Sequence, residues 1–211
     1  PRQVGKTTLL NQVVDHLLDQ GADPRSIFRV QFDELPDLKR LSMPILELCH
    51  WYADAILQMS FAKAARSGLR PIIFLDEVQN LPDWATQLKH LVDLNPVRAL
   101  ITGSSALRID AGKDSLAGRI TTIEMGPLLL REIAELRQFG RIPPHLPHNG
   151  LRPLKEKQFW GELRGLGERT REQRNLAFTA FSERGAYPIS QARPEEPWER
   201  TADFLRETVI K

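Results

Sequence analysis

The chain has a single cysteine, Cys49, so it has no internal disulfide to staple it. That excludes the cysteine-dense class of small secreted scaffolds and fits a reducing, cytoplasmic setting. Long apolar runs are missing too. The longest, Ile72-Ile73-Phe74-Leu75, is strand-sized and far short of the roughly 18 residues of a membrane span. There is almost no net charge: 29 Lys+Arg against 27 Asp+Glu give +2, too little to argue for a nucleic-acid partner. There is no glycine repeat and no low-complexity tract. With 41% hydrophobic and 27% charged residues, collagen-like and disordered classes are excluded. The 211 residues make one large domain, or a domain with an appendage. The chain opens Pro1-Arg2-Gln3, without Met or signal peptide, and is expected to have been cut from something longer.

What is present is an alternation of helix and strand patterns. Leu9, Leu10, Val13, Val14, Leu17 and Leu18 recur at helical spacing and predict a helix over 7–20, closed at Gly21. Residues 26–32 alternate apolar and polar and predict a strand. A helix is expected over 44–67, with Trp51, Tyr52 and Phe61 as core. A short apolar strand follows over 71–75, of the kind buried on both faces of a parallel sheet. A helix over 83–94, a strand over 98–102 and a weaker strand over 120–125 complete the series. Such alternation implies right-handed crossovers and a parallel sheet between helical layers. After residue 126 the character changes. Helices are expected over 131–139, 155–166, 170–183 and 198–211, around a Pro-rich connector near 141–153. The expected division is a core, 1–126, and a small helical subdomain, 127–211.

Gly5-Lys6-Thr7-Thr8 stands directly before the first helix. A phosphate-binding loop has Gly, four residues, then Gly-Lys-Ser/Thr. Glycine lets successive amides turn toward phosphate oxygens, and the helix N-terminus adds partial positive charge. The lysine reaches the terminal phosphates and the Thr7 hydroxyl holds Mg²⁺. Arg2, Gln3 and Val4 fall inside the loop, whose first glycine would precede Pro1. An ordinary helix start can also carry Gly-Lys-Thr.

Asp76-Glu77 follows the apolar strand. An acid at the carboxyl end of a parallel strand lies on the edge where open α/β sheets bind ligands. Asp76 is placed for the water shell of Mg²⁺, and Glu77 to deprotonate an attacking water. Two acids capping the next loop are the plainer alternative. Glu77 favours hydrolysis over a phosphotransferase, whose acceptor supplies its own nucleophile. Thr102, Ser104 and Ser105 end the next strand as candidates to sense a γ-phosphate, and Ser104 is the one carried forward. Arg119, in Leu116-Ala-Gly-Arg119, is a candidate to steady transition-state charge, from its own or a neighbouring copy. His145 and His148 lack further ligands at metal spacing. Cys49-His50 reads as core, since a nucleophilic pair would need a helper. Arg164, Arg169, Arg171 and Arg174 are interleaved with acids and read as a solvated face before a nucleic-acid contact.

Taken together, Pro-Arg-Gln-Val-Gly-Lys-Thr-Thr, Phe-Leu-Asp-Glu-Val-Gln, Ile-Thr-Gly-Ser-Ser and Leu-Ala-Gly-Arg resemble the AAA-like P-loop ATPases of bacteria and archaea. Met125-Gly-Pro-Leu-Leu-Leu-Arg-Glu-Ile resembles the stretch that opens their helical lid, and Gly185-Ala-Tyr-Pro188 their Gly-Gly-Tyr-Pro turn. The resemblance implies ATP with Mg²⁺ and a sheet with an additional central strand. It also implies hydrolysis coupled to lid movement, and a C-terminal region with a winged helix and a nuclease-like domain. Alternatives are a slow nucleotide-gated signalling or assembly switch, a nucleic-acid-handling ATPase and a P-loop kinase. Homo-oligomers fit the family, and protein or nucleic-acid partners stay open.

The strand that would deliver the loop is absent from the sequence and would lie mid-sheet. The chain is therefore expected to be an incomplete fold. In thermal unfolding, a version extended upstream should melt more cooperatively than the chain itself; equal cooperativity would refute this.

Overall fold

A computed structural model describes residues 3–33, 36–103, 116, 118–145 and 152–209. The chain divides into two compact units, Pro1–Glu124 and Met125–Lys211.

The first unit is α/β. Helix α1 spans Lys6–Asp19, strand β1 Ile27–Gln31, helix α2 Pro44–Trp51 and helix α3 Phe61–Arg66. Strand β2 spans Ile72–Asp76, helix α4 Trp84–Leu94 and strand β3 Arg98–Ile101. Among the described residues the strands form one parallel sheet in the order β1-β2-β3. Ile27 pairs with Ile72 and Gln31 with Asp76, while Leu75 pairs with Ile101. The acidic strand is therefore central, and the carboxyl ends of all three strands lie along one edge.

Side-chain alternation sorts the sheet. Val30, Ile73 and Leu75 enter a core cluster with Ile45, Tyr52, Leu57, Phe61, Leu88 and Leu91. Cys49 lies in the same cluster, fully buried, and burial pushes its thiol up to about 12. It is a neutral core side chain, as the sequence implied. Tyr52 stacks on Phe28 with ring centroids 4.5 Å apart, and its hydroxyl donates to the Arg25 carbonyl at 2.6 Å.

The helix expected over 44–67 is broken. After α2 the chain widens into a π-helical turn, Tyr52–Leu57, which ends at Gln58 with a left-handed φ of 54°. Ser60 then caps α3 by accepting from the Lys63 amide at 3.3 Å. One turn wound wide re-aims the face, so Tyr52 and Phe61 are core while Trp51 is 53% exposed. The strand expected over 120–125 does not form. Ile120 packs on the core and Ile123 is 82% exposed, but residues 120–125 pair with no strand among the described residues.

Helix α2 starts at Met43, which supplies no side-chain cap. The cap comes from α4: Gln87, buried, accepts the Ile45 N–H at 3.0 Å and donates to the Pro82 carbonyl at 3.3 Å. One amide thus serves an orphan helix donor and braces two helices.

The second unit is helical among its described residues: α5 Leu130–Leu136, α6 Lys157–Arg169, α7 Arg171–Arg184, α8 Pro188–Ala192 and α9 Trp198–Val209. Ile133 and Ala134 of α5 pack on Ala177 and Ala180 of α7. The small residues on α7 let the two helices approach closely. Fully buried Gln191 donates to the carbonyls of Ala180 and Gly185 at 3.0 and 2.6 Å, satisfying the end of α7. Gly185 takes φ +69°, and Pro188 opens α8. Residues 141–145 are irregular, as the prolines require; 146–151 lie outside the described residues. His145 stands 4.7 Å from the Phe159 ring, centroid to centroid. No cluster of metal-ligating side chains occurs among the described residues.

Gln87→Leu keeps the volume but strands the Ile45 N–H. It should lower stability by about 1–3 kcal/mol in urea unfolding, the cost of an unsatisfied buried donor.

Candidate functional site

The loop before α1 is built from backbone that few residues adopt. Gln3 has φ 59° and Gly5 φ 93°. The Gly5 carbonyl accepts the Leu9 N–H at 2.9 Å, so the helix begins at once. The first amides of α1 are left without intrahelical partners at its positive end. Gln3, Gly5, Lys6, Thr7 and Thr8 line a cavity of about 420 Å³ together with Asp33, Glu77, Gln79 and Asn80. Val4 differs: its side chain is 3% exposed, packed inward and not part of the lining. A branched apolar side chain here anchors the loop, leaving only main chain to face a ligand.

The opposite wall is the end of β2. Asp76 is fully buried. Its Oδ1 accepts a very short hydrogen bond from the Thr102 hydroxyl, and its carbonyl accepts the Phe32 N–H at 3.1 Å. Its Oδ2 has no hydrogen-bond partner among the described residues, and Arg29 Nη2 on β1 stands 3.8 Å away. A buried carboxylate oxygen without a donor is costly unless a cation or its water completes it. The Asp76 donor set therefore fits a hard divalent ion or that ion's water shell.

Glu77 takes a left-handed turn, φ 57° and ψ 42°. The Thr102 hydroxyl accepts its N–H at 3.3 Å, and the Thr102 carbonyl accepts the Val78 N–H at 3.1 Å. The turn starts a short 3₁₀ helix, Val78–Asn80, which Glu77 does not cap with its side chain. Within the turn, Gln79 folds back and its amide donates a very short hydrogen bond to Glu77 Oε2.

The structure thus brings together Gln3, Gly5, Lys6, Thr7, Thr8 and Glu77 around one cavity, with Asp76 at its buried edge. It does not bring Arg119 there: that guanidinium pairs with Asp93 of α4 at 2.6 Å. Arg2, Ser104 and Ser105 lie outside the described residues. Thr102 acts behind the cavity, on Asp76 and Glu77, and is not part of the lining. Sequence reasoning passed over Asp33, Gln79, Asn80 and Arg29. Asp33 was open to discovery, since it is an acid two residues past the carboxyl end of β1, on the same sheet edge. Gln79 and Asn80 reach the cavity only because Glu77 turns left-handed, which no residue pattern announces.

A parallel sheet with an acid-tipped central strand, facing a glycine-lysine-threonine helix start, defines a nucleotide-binding α/β domain of the P-loop type. Comparison with known families agrees: the model of a family described as "AAA domain" matches residues 1–134, and the chain belongs to that family. Membership places it among nucleotide-binding domains of the ATPase kind. The chain is 33% identical over 152 residues to an uncharacterized protein of Mycobacterium tuberculosis, and equally to one of Mycobacterium bovis. Each alignment covers 68% of this chain and 29% of the relative. An uncharacterized protein of the archaeon Methanocaldococcus jannaschii is 30% identical over 141 residues, covering 67% of this chain and 28% of that protein. The chain thus spans less than a third of the curated relatives it matches. No helix among the described residues is long and apolar enough to cross a membrane.

Thr102→Val removes the donor to Asp76 and the acceptor for Glu77 N–H while keeping the shape. It should cost about 2–4 kcal/mol in denaturant unfolding, and Thr102→Ser should restore most of it.

Proposed function

We propose that this chain binds ATP with Mg²⁺ and hydrolyses it to ADP and phosphate. One observation carries the reading: Lys6 and Thr7 line the same cavity as Glu77, with the Asp76 carboxylate buried at the end of the same strand. Gly5 and the first amides of α1 cradle phosphate oxygens, and Lys6 takes the charge of the terminal phosphates. The Thr7 hydroxyl and the Asp76 carboxylate would hold Mg²⁺, which when bound neutralises the charge on the β- and γ-oxygens. Glu77 orients a water and accepts its proton. The new oxygen–phosphorus bond forms as the bond to the ADP oxygen breaks. Because Thr102 joins β3 to both acids, a change at the γ-phosphate is felt along the sheet edge, and we place movement of the helical second unit downstream of it.

A second reading, a switch that holds ATP and turns it over slowly, is favoured by Arg119. Its pairing with Asp93 keeps it out of the cavity lining, so among the described residues Lys6 is the cation that lines the cavity, and a further one from a partner or a second copy would speed turnover.

Steady-state phosphate release with Mg²⁺ and ATP tests the proposal. Lys6→Ala should lose nucleotide binding and turnover together. Glu77→Gln should keep binding and lose at least about 100-fold in kcat, the scale of a general base. Unchanged turnover in Glu77→Gln would overturn its role, and tight binding without turnover in the parent would select the switch.

A further inference from the structure

We infer that Gln79 is a positioning residue for Glu77, holding its carboxylate in the orientation that serves the attacking water. The inference rests on the hydrolytic reading of Glu77 and assigns a second residue to that site.

Three observations carry it. The Gln79 side-chain amide donates to Glu77 Oε2, a contact between residues two apart in sequence. Side chains two apart do not meet on a regular helix. They meet here because Glu77 is left-handed and Val78–Asn80 is a single 3₁₀ turn. Secondly, both residues line the cavity that holds Lys6 and Thr7. Thirdly, Gln79 is itself buried, at 8% exposure, so its amide is set by packing and does not wander in solvent.

The chemistry suits the task. A carboxylate that must take a proton needs one oxygen directed at the water and its rotamer fixed. Glutamate has three side-chain torsions and, if unheld, spends little time in one arrangement. An amide donor fixes an oxygen without titrating itself. Glutamine therefore restrains Glu77 without bringing a charge of its own into the cavity. The backbone of Glu77 is fixed independently, by Thr102 and by the 3₁₀ turn. Gln79 thus controls the side chain without being needed for the turn.

The test is the kinetics of Gln79→Leu and of the isosteric Gln79→Glu, which keeps the shape but offers an acceptor where Gln79 offers a donor. Both should lower kcat by about 10- to 100-fold, and in the uncharged Gln79→Leu the KM and the affinity for ATP should stay within twofold. Added to Glu77→Gln, neither should lower kcat further, because the group they position is already gone. A merely structural residue would instead lower thermal stability and ATP affinity, and its effect would add to that of Glu77→Gln. Turnover within twofold of the parent in both variants, or additive losses, would overturn the positioning role and leave the hydrolytic reading standing. ATP binding that depends on Lys6, with no phosphate release from the parent, would overturn the hydrolytic reading and this role with it.

Discussion

The hydroxyl of Thr102 joins the ends of two strands and sets the direction of both acids. It gives its proton to Asp76 and takes the N–H of Glu77, using donor and acceptor capacity at once. Parallel strands hydrogen-bond along their length, but their ends are free to splay. Here the last rung is a side chain, followed by the Thr102 carbonyl accepting from Val78. Asp76 is thereby kept pointing along the sheet edge, and the chain turns sharply enough to aim Glu77 at the loop before α1. Gln79 and Asn80 reach the cavity through that turn.

Asp76 also shows how an acidic side chain is held in a buried place. One oxygen is held by Thr102, and the other faces Arg29 at a distance too long for a hydrogen bond. The Thr102 hydroxyl and the nearby guanidinium together offset part of the cost of burying a polar group.

Much of this was legible in the residues, and the exceptions are instructive. The apolar run Ile72–Leu75 and the acids after it located the middle strand of the described sheet and the edge of the candidate site, because burial on both faces leaves no polar residue inside the strand. Gly5-Lys6-Thr7 was legible only jointly with those acids, since an ordinary helix start can carry the same three types. The π-helical turn at Tyr52–Leu57 was not legible, since helical periodicity reads alike whether one turn is wound at 3.6 residues or wider. The β-branched run from Ile120 to Ile123 suggested a strand, but strand-favouring residue types do not supply a neighbouring strand to pair with. Nor did the sequence expose Gln79 and Asn80. Their place in the cavity depends on a backbone sign at Glu77, and a glutamate gives no hint of a left-handed φ as a glycine would.

That backbone sign has a thermodynamic consequence. Gln3 and Gly5 on one wall of the cavity and Glu77 on the other all sit at positive φ. Two of the three are not glycine, and such positions hold their shape only while the surrounding structure imposes it. A ligand gripping both walls binds this arrangement and not the relaxed one. Its affinity is therefore diminished by any loosening of the walls, and its presence resists that loosening. Occupancy of the cavity and local order of its two rims are thus a single linked equilibrium, in which a substitution far from any phosphate can weaken binding simply by letting the backbone return to where its residues would rather be.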